Sequence, residues 1–284
     1  MNINHLLKTI CCSKTETLEH NLVTILYQQG YKKIYNVEGQ YIIAEGELPV
    51  CLIAHLDTVF LAPPVDRDFL YDAEKKILWN TRGAGFDDRA GVTMIMHFVL
   101  NNYRPSIIFT FGEEMGGIGA HSLISNFKKC PFKKCNALIE LDRMGEKDCV
   151  FYNCDNKEFE KYIESFGFEK AEGTFTDISI IAPQWKIAAV NLSIGYLDEH
   201  TIAERLNIQW YYDIFQKIES ILKNSSKMKF YKYIPKSCNN NFIGSKYQCF
   251  LCEKPLKKHN YKKITEYKNY QFYCCNDCYK LYYD

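Results

Sequence analysis

Apolar and polar positions along this chain switch between two periods. ETLEHNLVTILYQQ (16–29) spaces its apolar side chains at helical intervals and stops at Gly30, which predicts a helix. VEGQYIIAEG (37–46) reads as strand. PVCLIAHLD (49–57) is an unbroken apolar run closing on polar residues, as a buried strand does. DDRAGVTMIMHFVLNNY (87–103) predicts a helix, SIIFTFG (106–112) a strand and IGAHSLISNF (118–127) a helix. NALIELD (136–142) follows as a strand and KEFEKYIESFG (157–167) as a helix. TFTDISIIA (174–182) and AAVNLSIGY (188–196) read as further strands, and 202–222 as one long amphipathic helix. Strands alternating with helices imply an α/β fold, three-layer α/β/α around a mostly parallel central sheet. Such sheets bind ligands outside the carboxyl ends of their strands.

Composition narrows the class. With 284 residues, 47% hydrophobic and 24% charged, the chain has the make-up of one or two folded domains and not of a disordered or fibrous protein. No stretch approaches the ~18 uninterrupted apolar residues of a membrane span, so no membrane partner is expected. The start, MNINHLLKTICC, lacks the charged region and long apolar run of a secretory signal. A net charge of +1 hides an asymmetry: residues 223–284 carry 13 Lys against 4 acidic groups, and the rest carries 22 basic against 30 acidic. The changeover predicts a large domain over 1–224, a linker over 225–245 and a small module over 246–284.

Acids and histidines gather where the carboxyl edge of the sheet should lie. His55 and Asp57 follow VCLIA, and Asp87 and Asp88 precede the first long helix. Glu113 and Glu114 follow IIFTFG, Asp142 follows ALIEL, and His200 follows NLSIGYLDE. Each alone has an ordinary reading, since acids before a helix cap it or suit its dipole. Five such features in order, beside close-approach glycines, are better explained by chemistry. Two divalent ions about 3.5–4 Å apart can clamp both oxygens of a hydrolytic displacement. That pair needs one bridging carboxylate and terminal ligands on each ion. Zinc accepts imidazole and carboxylate, and no thiolate here closes the site. A further carboxylate held off the metals would deprotonate the bridging water and protonate the leaving amine.

AHLDTV, GAGFDDRAGV, FTFGEEMGGIGA, ELD and GYLDEHT, over roughly residues 50–205, resemble the motifs of the co-catalytic dizinc exopeptidases. That superfamily holds leucyl aminopeptidase-like and peptidase-T-like zinc peptidases together with deacylases. The resemblance implies a role for each position. His55, Asp87 and Asp142 would hold one zinc ion, and Glu114, Asp87 and His200 the other. Asp57 would orient the His55 imidazole, Glu113 would be the general base, and the Asp87–Asp88 bond would be cis. Glu204 is expected on the helical face of His200, as a partner of the site or an ordinary surface acid. Tyr196 and Arg143 stand near ligands, and Thr176 and Asp177 fall where relatives often carry a Ser-Asp pair near the substrate. One departure is that only 58 positions separate Asp142 from His200, too few for the lid domain many relatives insert there. The implied activity is aminopeptidase-like hydrolysis of a peptide. The alternatives are an amidase or deacylase on N-acylated amino acids or small amides, and a non-catalytic binding protein.

The tail carries a second pattern. Cys249-x2-Cys252 and Cys275-x2-Cys278, with 22 residues between, read as a four-cysteine structural zinc site. They resemble a treble-clef or zinc-ribbon module with a hairpin through KKITEYKNYQFY (262–273). So short a segment has too small a core to fold unaided, and zinc would contribute the folding free energy. Its lysines and tyrosines suit a protein partner or, less favoured, nucleic acid. The remaining cysteines show no metal spacing and are expected as reduced thiols, which implies a cytoplasmic protein.

Overall fold

The computed structural model describes residues 3–236, 261–267 and 270–276. The chain divides into two compact units, Met1–Pro235 and Lys236–Asp284.

The first unit opens with α1 (Ile3–Cys11), α2 (Thr15–Gln28), β1 (Ile34–Val37), β2 (Tyr41–Ala44) and β3 (Leu48–His55). It continues through β4 (Phe69–Asp72), β5 (Ile77–Asn80), α3 (Phe86–Leu100), β6 (Pro105–Thr110), α4 (Ile118–Asn126) and β7 (Leu138–Arg143). Then come β8 (Asp148–Val150), α5 (Lys157–Glu164), β9 (Glu169–Ala171), α6 (Asp177–Trp185) and β10 (Ala189–Ser193). It closes with β11 (Tyr196–Leu197), β12 (Arg205–Asn207) and α7 (Ile208–Asn224).

Eight strands form one sheet in the order β1-β2-β6-β3-β7-β10-β8-β9. The four central strands, β6, β3, β7 and β10, run parallel. The β1–β2 pair, the β2–β6 pair and the β8–β10 pair are antiparallel. The β8–β9 pair is again parallel, so four of the seven pairings are parallel and the sheet is mixed, with the expected parallel strands at its centre. The connection from Val37 to Tyr41 is a tight turn, closed by Gln40 N–H donating to the Val37 carbonyl at 2.9 Å, and a turn that short joins only antiparallel strands. Alternate residues of β3 face two cores. Val50, Leu52 and Ala54 pack with α1, α2, α3 and α7, while Cys51 and Ile53 pack with α4 and α6.

Two predicted elements change type. Residues 174–182 contribute to α6, not to a strand. Ser179 Oγ accepts the Thr176 N–H at 3.2 Å, and Ile178, Ile181, Ala182 and Trp185 are buried at helical spacing. The long helix expected over 202–222 begins only at Ile208. The Asn207 side chain caps it by accepting the N–H groups of Gln209 and Trp210, and Arg205–Asn207 pair with β5. With β11, β5 and β4 they make a second, four-stranded sheet that the sequence pattern did not announce.

The chain after α7 stays on the first unit. Ile187 bridges Lys232, Cys154 bridges Pro235, and the Ala188 N–H donates to the Tyr231 carbonyl at 2.8 Å. The segment expected as a linker from 225 is thus part of the first unit as far as Pro235. In the second unit β13 (Tyr261–Tyr267) pairs antiparallel with β14 (Tyr270–Cys275). Cys275 ends β14 and is buried. Cys249, Cys252 and Cys278 lie outside the described residues. Among the described residues no helix is long and apolar enough to cross a membrane.

Candidate two-metal centre

His55 is the last residue of β3, and its backbone N–H donates to Asp88 Oδ2 at 3.1 Å. Asp88 Oδ1 accepts the Gly91 N–H at 3.2 Å, so Asp88 ties the end of β3 to the start of α3. Gly91 permits the close approach this needs, because a Cβ there would stand 2.0 Å from the Leu141 carbonyl oxygen of β7. The Asp87–Asp88 peptide is cis, as expected.

Asp87 stands between two imidazoles. Its Oδ1 lies 3.1 Å from His55 Nε2 and its Oδ2 lies 3.1 Å from His200 Nε2. His55 Nε2 also faces Asp142 Oδ1 at 3.5 Å, and His200 Nε2 faces Glu114 Oε2 at 3.0 Å. Two trios result, His55/Asp87/Asp142 and Asp87/Glu114/His200, each with its ligand atoms within 4.8 Å of one another, close enough to hold a metal ion. Asp87 belongs to both. His200 sits on the loop between β11 and β12 with φ +62°, and is half exposed.

Other side chains fix this cluster. Asn191 of β10 clasps Asp142, donating to its carbonyl at 2.7 Å and accepting its N–H at 3.0 Å. The Tyr196 and Thr176 hydroxyls donate to the two Asp142 carboxylate oxygens at 3.2 and 3.0 Å. Glu204, fully buried, accepts the N–H groups of Phe86 at 3.0 Å and Asp87 at 2.9 Å. It lies before β12 and not on a helix, so the expected helical face does not exist. Asp57 accepts the N–H groups of Gly112, Glu113 and Glu114 at 2.7, 3.4 and 3.3 Å. His55 Nδ1 is 3.0 Å from the Asp57 backbone carbonyl and 3.5 Å from its carboxylate. The imidazole is held foremost by that carbonyl, and the carboxylate organises the loop bearing both glutamates. Arg143 bonds the Glu172 carbonyl at 3.2 Å. Asp177 is buried and accepts from the Thr110 hydroxyl. Neither Asn191 nor the backbone role of Glu204 carries a local sequence signal.

Charge is crowded here. Burial works against the Asp87 anion, but His200 and His55 outweigh it and hold its carboxyl below the usual range. Burial pushes Asp142 up to about 6, Asp177 up to about 7 and Glu113 well above the ordinary carboxylate range. Hydrogen bonds to Asp87 and Glu114 push His200 up to about 11. Glu114 Oε1 is buried without a hydrogen-bond partner. So much buried carboxylate calls for positive charge. Imidazoles and carboxylates in these proportions are the donor set of zinc and similar divalent ions, so the residues fit a metal pair.

Residues 36–178, about half of the chain, match Peptidase family M28, and the chain belongs to that family. The alkaline phosphatase isozyme conversion protein of Escherichia coli (strain K12) is 33% identical over 133 residues, covering 43% of this chain and 36% of that protein. The chain thus spans about a third of the length of that relative. A tripeptidase from Staphylococcus aureus subsp. aureus Mu50 superposes with a TM-score of 0.65 at 14% identity, covering 79% of this chain and 98% of its own. The aminopeptidase PepT from Bacillus cereus ATCC 10987 does so with a TM-score of 0.60 at 12% identity, covering 79% and 98%. These two likenesses establish the fold, which the chain shares with a tripeptidase and an aminopeptidase.

Proposed function

We propose that the protein is a two-metal exopeptidase of the aminopeptidase kind that hydrolyses the N-terminal bond of a peptide. The observation that carries this reading is Asp87, with one carboxylate oxygen 3.1 Å from His55 and the other 3.1 Å from His200. His55, Asp87 and Asp142 would hold one zinc or other divalent ion, and Glu114, Asp87 and His200 the second. Such a pair lowers the pKa of water and polarises the scissile carbonyl. The chain supplies the rest. Glu113 takes a proton at its carboxylate from the attacking water and passes it to the departing amine. Asp57 fixes the backbone that carries Glu113 and Glu114. Thr176 and Tyr196 hold Asp142 in place.

The named activities of the structural neighbours, a tripeptidase and an aminopeptidase, favour a free peptide over an N-acylated substrate. In the second unit, Cys249, Cys252, Cys275 and Cys278 would hold one structural zinc; the spacing and the β13–β14 hairpin that ends on Cys275 support that reading. Its lysines and tyrosines would serve a protein partner. The test compares a panel of free and N-acetylated peptides with the purified chain. Free peptides should be cleaved, N-acetylated ones spared, and Glu113→Ala should retain the metals while losing nearly all turnover. Cleavage confined to acetylated substrates would establish the deacylase alternative. Absence of any metal-dependent hydrolysis would leave only a binding function.

A further inference from the structure

A cavity of about 430 Å³ lies beside the segments that carry the metal centre. Thr58 and Gly85 line it, sequence neighbours of Asp57 and Asp87, but no residue of the two metal-binding trios does. Arg89 lines it too, and is only 4% exposed. Its Nη1 donates to the Ile10 carbonyl at 3.3 Å and its Nη2 to Thr15 Oγ1 at 3.0 Å, while its Nε has no partner. A guanidinium carries five N–H donors in a rigid fork, and two of these are used. Asp57, Asp88 and Glu16 act on it through space, but none of them is ion-paired with it among the described residues. A buried guanidinium with an idle N–H keeps donor capacity for an acceptor brought into the cavity.

A second, independent feature opens on the same cavity. Lys14, Thr15 and Glu16 line it at the N-terminus of α2, and Lys14, at the cap position, makes no side-chain cap hydrogen bond. The N–H groups of the first helical turn and the positive end of the helix dipole are thus left to an outside acceptor. The exposed Lys14 adds a charge at the rim. Phe60, Leu61 and Pro63 add apolar side chains to the lining. Glu16, also on the lining, disfavours a dianion such as phosphate.

We propose that this cavity binds the carboxylate of a small organic acid, with Arg89 and the N-terminus of α2 meeting the charge and the side chains of Phe60, Leu61 and Pro63 meeting an apolar body. The carboxylate has two sources, a free acid or the C-terminus of a peptide substrate; the second rests on the aminopeptidase reading. Thermal melting of the full-length, metal-loaded protein with hydrocinnamate and with its neutral amide tests the site. Ligand binding to the folded state raises the melting temperature by mass action. The acid should raise it and the amide should not. Lys14→Glu, a change on an exposed side chain, should weaken the acid several-fold, and Arg89→Gln should abolish its effect. Equal stabilisation by acid and amide would overturn the proposal. So would undiminished binding to Lys14→Glu, whether or not Arg89→Gln folds, since the acid would then sit elsewhere.

Peptides with free and amidated C-termini separate the sources. A lower KM for the free carboxylate, lost in Arg89→Gln, identifies the substrate terminus. Equal KM values with melting that still depends on Arg89 identify a free acid. If neither peptide is cleaved, the peptidase reading fails, and the melting result alone decides the carboxylate site.

Discussion

The carboxylate of Glu204 accepts the backbone N–H of Asp87 at 2.9 Å, across 117 positions of sequence. The same carboxylate holds the N–H of Phe86, so a single acid fixes the strand-like turn on which the shared carboxylate of the two trios stands. Replacing it by Ala would leave two buried donors unsatisfied, at about 1–3 kcal/mol for each such group. Glu204→Ala should lower the urea midpoint and weaken metal retention by roughly 10–100-fold, the usual penalty for losing a group that supports a ligand. Glu204→Gln, which keeps one acceptor oxygen, should fall between. Equal metal content in all three proteins, measured by titration with a chelator, would show that the turn holds without this acid.

Gly91 makes an opposed pair of expectations decidable. Alanine in a helix interior gains about 1 kcal/mol over glycine by propensity alone. Here its Cβ would meet the Leu141 carbonyl oxygen at 2.0 Å, and backbone cannot step aside as a flexible side chain can. Gly91→Ala should therefore be destabilising, by about 1–3 kcal/mol as for other overpacked sites. Turnover should fall further than stability, because α3 carries Asp87 and β7 carries Asp142. Chemical denaturation beside peptide hydrolysis checks both; a stabilised variant would mean that the helix has room.

Away from the site, His97 offers a test of acid sensitivity. Its ring stands against Phe215 with centroids 4.9 Å apart, and its Nδ1 is buried without a partner. Burial lowers its pKa below the ordinary 6.5. A depressed pKa in the folded state means that the neutral ring's contribution is present above the unfolded value and is lost as pH falls through the folded one. Acidification from neutral pH should thus destabilise the native protein more than His97→Phe, which keeps the ring and cannot take up a proton. Parallel loss in both, followed by urea midpoints across that range, would assign the acid sensitivity elsewhere.

The site was more legible in the sequence than the fold around it. His55, Glu114, Asp142 and His200 each close or follow a locally recognisable apolar run, and Asp87 precedes one, so their chemistry survives without knowledge of pairing. Glu204 and Asn191 act on backbone groups far away in sequence, and nothing near them shows which groups those are. The residues of α6 are rich in β-branched side chains, which favoured a strand, but the spacing of Ile178, Ile181, Ala182 and Trp185 and the Thr176–Ser179 bond decide for helix. The second sheet is built from strands of two to four residues, too short to display a period. Its pairing also set the start of α7, which periodicity alone placed too early.

The central claim is that Asp87 is shared by two metal ions. Anomalous diffraction at the zinc edge, from crystals of the zinc-loaded protein, tests it most directly. Two peaks are expected in the first unit, one flanked by His55 and Asp142, the other by Glu114 and His200, with Asp87 reaching both. A single peak that leaves either histidine without a metal, or no peak at Asp87 at all, would contradict it.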